Sequence, residues 1–140
     1  MAPRVQIAID CGDPEHLTAF WAEVLGYRPT RPPGGFATWA EFSAAVGGAS
    51  GERWSRISDP AGVGPDLLFH RVPEPKTTKN RVHLDVHLSA GRPAGERRRV
   101  VDAEARRLVA LGARHLRTEE DVTDYFAVMQ DPEGDEFCID

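Results

Sequence analysis

Cysteine is scarce in this chain: among its 140 residues only Cys11 and Cys138 carry thiols. They make neither a CxxC motif nor a disulfide framework, so reduced thiols and a cytoplasmic setting are expected. Long apolar runs are missing as well. "MAPRVQIAID" enters a strand-like alternation almost at once, and neither a signal peptide nor a membrane span is expected. Excess positive charge is also lacking. The formal net charge of −5 argues against a nucleic-acid or membrane partner. The one basic run, Arg97-Arg98-Arg99, is closely followed by Asp102 and Glu104 and reads as a solvated helix face. There is no Gly-x-Ser-x-Gly elbow, phosphate loop or cysteine-protease context.

What the chain does contain is written twice. "RVQIAI" at 4–9 resembles "RVHLDV" at 81–86, and "EVLGYRPT" at 23–30 resembles "VALGARHLRT" at 109–118. "SDPAG" at 58–62 resembles "QDPEG" at 130–134, and an apolar strand follows each. Two copies in the same order describe a duplicated module. Asp13 is placed to cap a helix with Pro14 at its first position, where a missing N–H costs nothing. Leu17, Phe20, Trp21, Val24 and Leu25 then follow helical spacing up to Gly26, a left-handed stop. In the second copy, a helix starting within 93–97 should bury Val101, Ala105, Leu108 and Leu111 before stopping at Gly112. "GGFATWAEFS" and "DYFAVMQ" read as strands ahead of the DPxG turns. Residues 43–52 read as a flexible loop, and 73–80 as the connector between copies. Each copy is thus expected to be a βαβββ unit.

The stretch "RVHLDVHL", residues 81–88, alternates His83, Asp85 and His87 with Val82, Leu84 and Val86. In a strand the polar three would share one face and the apolar three the other. His83 and His87 would stand roughly 13 Å apart by strand rise, too far to share an ion. Residues two apart lie roughly 7 Å from each other along the strand, within occasional reach of long side chains.

"DCGDPEHLTAFWAEVLGY", "RVHLDVHL" and "DPEGDEFCI" together resemble the vicinal oxygen chelate superfamily, and within it the small glyoxalase-like domain proteins. The superfamily fold is shared by glyoxalase I, bleomycin-resistance proteins and extradiol dioxygenases. The resemblance implies a single α+β domain over 1–140, with module 1 at 4–72 and module 2 at 81–140. Their sheets would curl into a cup with helices on the convex side. It also implies four cup-facing metal ligands, which map to Gln6, Leu68, His83 and Cys138. The family pattern there is His or Gln with two Glu. Leu68 ligates nothing and Cys138 replaces a carboxylate, so no bound metal or other cofactor is expected. A divalent metal in a rebuilt site around His83 is the alternative.

Alternation extends the cup-facing set to Asp10, Asp66, His70, Asp85 and Glu136. The expected ligand pocket is Gln6, Trp39, Trp54, Leu68, His83, Tyr125 and Cys138, an aromatic wall suited to a small planar molecule. His83 is the candidate catalytic residue, because histidine titrates near neutral pH. For Cys138 the blander reading, a buried and inert thiol, is preferred. The resemblance favours a small-molecule-binding protein that works as a homodimer. Its competitors are a lyase, isomerase or dioxygenase, and an interaction module with a vestigial cup.

Overall fold

The computed structural model describes residues 1–48 and 51–140. The chain divides into two compact units, residues 1–75 and 76–140.

The first unit runs β1 (Gln6–Cys11), α1 (Pro14–Leu25), β2 (Arg28–Pro29), α2 (Trp39–Val46), β3 (Trp54–Ser58) and β4 (Asp66–Arg71). Its sheet has the order β1-β4-β3-β2, with β1 parallel to β4 and the other pairs antiparallel. α1 begins as its sequence requires. The Asp13 carboxylate accepts the His16 N–H at 3.2 Å, Pro14 opens the first turn, and Gly26 stops the helix at φ 67°. The face carrying Leu17, Phe20, Trp21 and Val24 is buried and packs on β3 and β4, whose inward side chains are Ile57, Leu67 and Phe69.

The second unit runs β5 (Asp85–Val86), α3 (Ala94–Ala110), β6 (Arg114–Glu120), β7 (Tyr125–Gln130) and β8 (Glu136–Ile139). Its sheet order is β5-β8-β7-β6, again with the first strand parallel to the last. Strand for strand this is the order of the first unit. The registers agree too: Ala8 pairs with Leu68 as Asp85 pairs with Cys138. Val101, Ala105 and Leu108 of α3 are buried, and the helix packs on β7 and β6.

Both DPxG turns are held by one device. The Asp59 carboxylate accepts the N–H groups of Ala61, Val63 and Gly64 at 2.8, 3.0 and 2.9 Å. Asp131, itself buried, accepts those of Glu133 and Asp135 at 2.9 and 3.0 Å. Gly62 and Gly134 take up the left-handed positions at φ 68° and 92°.

Four expectations need correction. "GGFATWAEFS" is not a strand, because Trp39–Val46 is helical. Thr38 accepts the Glu41 N–H at 3.1 Å, and the Glu41 carboxylate accepts the Ala37 N–H at 3.1 Å. That reciprocal arrangement is close to a capping box and outweighs the β-preference of the aromatics. The expected loop 43–52 therefore begins inside a helix, and positions 49 and 50 lie outside the described residues. Leu111 is exposed, because α3 ends one residue earlier and Leu111 turns outward at its C-cap. Finally, "RVHLDVHL" keeps only Asp85–Val86 as regular strand. Isolated backbone bonds extend the pairing, from Cys138 N–H to Leu84 O at 2.9 Å and from Asp140 N–H to Val86 O at 3.1 Å. Among the described residues, no helix is long and apolar enough to cross a membrane.

Trp21 is 2% exposed, and its ring meets Phe20 edge-on at 5.7 Å. Truncation to Ala removes a large buried volume that the surrounding core refills only in part. Trp21→Ala is expected to cost ~3–5 kcal/mol in chemical denaturation; a near-neutral result would contradict the packing of α1 on its sheet.

Candidate functional site

Each sheet has one face under its helix and one that the helix leaves open. In the first unit, pairing sets Trp54 beside His70 and His70 beside Asp10, and likewise Arg56 beside Leu68 and Leu68 beside Ala8. Gln6 lies on the same side, opposite Asp66. Side chains two apart share a face, so this row is the open one; the buried Leu67, Phe69 and Ile57 occupy the other.

The Trp54 and His70 rings stack with centroids 5.0 Å apart and planes 1° from parallel. Carboxylates flank the imidazole: Asp10 Oδ1 is 3.7 Å from Nδ1, and Glu52 Oε1 is 3.4 Å from Nε2. The second contact is an ion-pair distance without hydrogen-bond geometry, for Nε2 is buried and has no hydrogen-bond partner. Imidazole and carboxylates are thus close without being locked together.

Helix α2 supplies the rest of the aromatic wall. Phe42 meets Trp54 at 5.7 Å and Trp39 at 5.3 Å, each edge-on. Trp39 enters the wall from the first turn of this helix rather than from the expected strand. Its indole N–H donates to Thr30 O at 2.6 Å, and the Arg56 guanidinium lies 5.8 Å from its ring centroid. Arg56 is fixed in turn by donating to the Thr30 hydroxyl at 2.9 Å. Of the expected pocket, this face brings together Trp39, Trp54 and Leu68, with Gln6 at its margin. Sequence reasoning missed Phe42, although it lies three residues after Trp39 on a helix that Thr38 and Glu41 announce.

In the second unit the open face carries His83, Asp85 and Cys138. Asp85 and Cys138 are direct partners across β5 and β8. His83 Nδ1 lies 3.1 Å from Asp85 Oδ1. One ligating atom from each of the three falls within 4.8 Å of the others. Burial pushes the Cys138 thiol up to about 11, helped by the charge of Asp85 and by a hydrogen bond to it. The thiol is therefore protonated at neutral pH, which does not suit a nucleophile. Neither cysteine is in a disulfide.

His87 sits apart from this group, with Nδ1 2.8 and 3.0 Å from the two Asp140 carboxylate oxygens. That hydrogen bond first, and the Asp140 charge second, raise its pKa above 6.5. Glu136 is engaged by the connector rather than by His83. Asn80 donates its backbone N–H to the Glu136 carboxylate at 3.4 Å, and the Lys76 ammonium lies 3.5 Å from it.

Tyr125 does not belong to this face. Val128 pairs with Cys138, so Tyr125, three residues earlier on β7, points to the opposite side. There its hydroxyl donates to Asp102 of α3 at 2.7 Å. Phe126 takes the position on the Cys138 side that Tyr125 was expected to fill.

A family model described as a glyoxalase-like domain matches residues 6–139, and the chain belongs to that family. Solved structures show the same fold. A glyoxalase/bleomycin resistance protein/dioxygenase family enzyme from Burkholderia phytofirmans PsJN is 17% identical with a TM-score of 0.64, over 96% of this chain and 94% of that one. A mutant of the fosfomycin resistance protein FosX from Listeria monocytogenes, complexed with Mn(II) and 1S,2S-dihydroxypropylphosphonic acid, is 12% identical with a TM-score of 0.67. The match covers 99% of this chain and 89% of that one. A glyoxylase/bleomycin resistance protein/dioxygenase domain from Frankia sp. EAN1pec is 12% identical with a TM-score of 0.64, over 99% and 96% of the two chains. Among curated proteins nothing matches the chain.

A metal such as the Mn(II) of the Listeria relative is a hard ion that takes oxygen ligands in octahedral geometry. At the four positions to which the family resemblance maps its ligands, Gln6 offers an amide oxygen, His83 a nitrogen, Cys138 a thiol and Leu68 nothing. Both carboxylates are missing, and this donor set does not fit that ion.

Two consequences are measurable. Asp85 accepts the thiol hydrogen bond and its charge disfavours the thiolate, so Asp85→Asn should lower the Cys138 pKa. Iodoacetamide should then alkylate Cys138 faster at pH 8, while an unchanged rate would separate Asp85 from the thiol. The His87–Asp140 pair favours charged imidazole. Its contribution to stability is therefore present below pH 6.5 and lost as pH rises through the elevated folded pKa. An NMR titration should place His87 above 6.5 and bring it down in Asp140→Asn.

Proposed function

We propose that this chain binds a small planar molecule, cationic or rich in hydrogen-bond donors, and does so without the hard metal ion of its metal-dependent relatives. The observation that carries the reading is the open face of the first sheet. Trp54 already stacks a planar ring, that of His70, beside two carboxylates. Trp39 and Phe42 continue the wall. Flat aromatic surface supplies most of the contact area in such sites, and a few charged groups fix orientation. Passive capture of this kind would serve resistance, the role named for solved proteins of this fold.

A second reading, an enzyme, is favoured by one specific contact. The His83–Asp85 pair fixes one ring nitrogen at 3.1 Å and leaves the other for proton transfer. On this reading His83 is the general acid or base and needs no metal. His83→Ala would then lower turnover of a true substrate by ~10²–10⁴-fold.

The binding reading is tested by tryptophan-fluorescence titration of the full chain in chelator, with the planar cation ethidium as probe. Saturable quenching that weakens at least about tenfold in Trp54→Ala is expected, equivalent to ~1.4 kcal/mol. Absence of quenching, or equal affinity in the variant, would sink the assignment to this face.

A further inference from the structure

The geometry points to a second capability, separate from the aromatic face: His83, Asp85 and Cys138 form a binding site for a soft or borderline divalent cation, with zinc the best match. This is not the ligand set that the family fold implies. Gln6 and Leu68 take no part, Asp85 enters, and all three ligands belong to the second unit.

The argument begins with strand register. Asp85 and Cys138 are cross-strand partners in a parallel pair, so their side chains leave the same face side by side. His83 precedes Asp85 by two residues and returns to that face, as its 3.1 Å contact with the carboxylate shows. Three donors from three kinds of side chain therefore converge, all within 4.8 Å. Tetrahedral zinc bonds nitrogen, oxygen and sulfur at about 2.0–2.3 Å, which sets its ligands roughly 3.3–3.8 Å apart. The His83–Asp85 pair, at 3.1 Å, is a little tighter than that and the full set is within 4.8 Å, so small side-chain rotations bring the three donors to tetrahedral spacing. His83 and Asp85 side chains are each 48% exposed, so about half of each lies in solvent and leaves room for that adjustment.

Donor chemistry decides which ion. A nitrogen, a carboxylate oxygen and a sulfur suit zinc or cobalt, whereas manganese and magnesium favour oxygen alone. With three protein ligands the fourth tetrahedral position is open to water or to a donor atom of a bound molecule, the arrangement that distinguishes reactive zinc sites from structural ones. Nearby charge is not prohibitive. Arg117 faces the same side, opposite Val128, but donates to the Glu119 carboxylate two residues along. Asp140, paired with His87, follows Cys138 by two residues, just past the end of β8, and adds negative charge to this face.

The test uses the full chain, stripped with chelator, and Co²⁺ as a spectroscopic probe. A sulfur-to-cobalt charge-transfer band should grow to one equivalent, disappear on adding Zn²⁺, and persist in excess Mn²⁺. It should be lost in Cys138→Ala and in Cys138→Ser, with circular dichroism confirming that each variant is folded, and retained in Cys11→Ala. His83→Ala and Asp85→Asn should each weaken Co²⁺ binding at least about tenfold, or ~1.4 kcal/mol. No band, a band that survives loss of Cys138, or displacement by Mn²⁺ as effective as by Zn²⁺ would overturn the proposal. Because the ethidium titration is run in chelator, failure of either experiment leaves the other standing.

Discussion

Parallel pairing between the first and last strands of each unit governs which side chains can meet. The pairs β1–β4 and β5–β8 put residues of distant sequence in fixed register, and the twofold alternation of a strand then sorts every side chain to one of two faces. Leu67 and Phe69 go under α1, while Leu68 and His70 go to the open side. In the second unit Phe137 and Ile139 are buried, while Cys138 faces out beside Asp85. A slip of one residue in either pair would bury charge and expose core. The helices enforce the register, because each needs an apolar surface to cover.

The two copies share this scaffold and have diverged in what they display on it. The first presents rings, assembled from β3, β4 and the additional helix α2. The second presents donors: imidazole, carboxylate and thiol. Insertion of α2 between β2 and β3 is the largest departure from the common plan, and it falls in a connection, where added length costs little entropy. Thr30, at the end of the β2 segment, ties the insertion down by accepting from both Trp39 and Arg56.

Much of this was legible in the sequence because the relevant signals are local. Asp13, Pro14 and Gly26 bracket α1, and the two DPxG turns announce a strand each. The internal repeat relates Gln6 to His83 and Leu68 to Cys138, and the strand registers agree with that mapping. Errors arose where local signals compete or are silent. Aromatic-rich "GGFATWAEFS" has the composition of a strand, yet Thr38 and Glu41, three residues apart, carry a helix-start signature that was there to be read. "DYFAVMQ" is apolar from Tyr125 to Met129, so it shows no alternation from which the side taken by Tyr125 could be inferred. Only pairing of Val128 with Cys138 decides that. Adjacency of Asp85 to Cys138 likewise depends on register between strands more than fifty residues apart in sequence.

Asn80 accomplishes with one side chain what the first copy does with a run of backbone. Its amide accepts the Glu136 N–H at 2.8 Å and donates to Glu136 O at 3.1 Å, closing the β8 edge where a longer β5 would otherwise lie. A backbone ladder opens cooperatively, since each rung holds its neighbours in place, whereas a side-chain clasp leaves the adjacent peptide groups outside any such cooperative unit. The segment that carries His83 is therefore held between the Asn80 clasp on one side and the Leu84 carbonyl rung on the other. The placing of this imidazole thus hangs on one asparagine amide, so that a change at Asn80 would reach His83 without touching the core behind it.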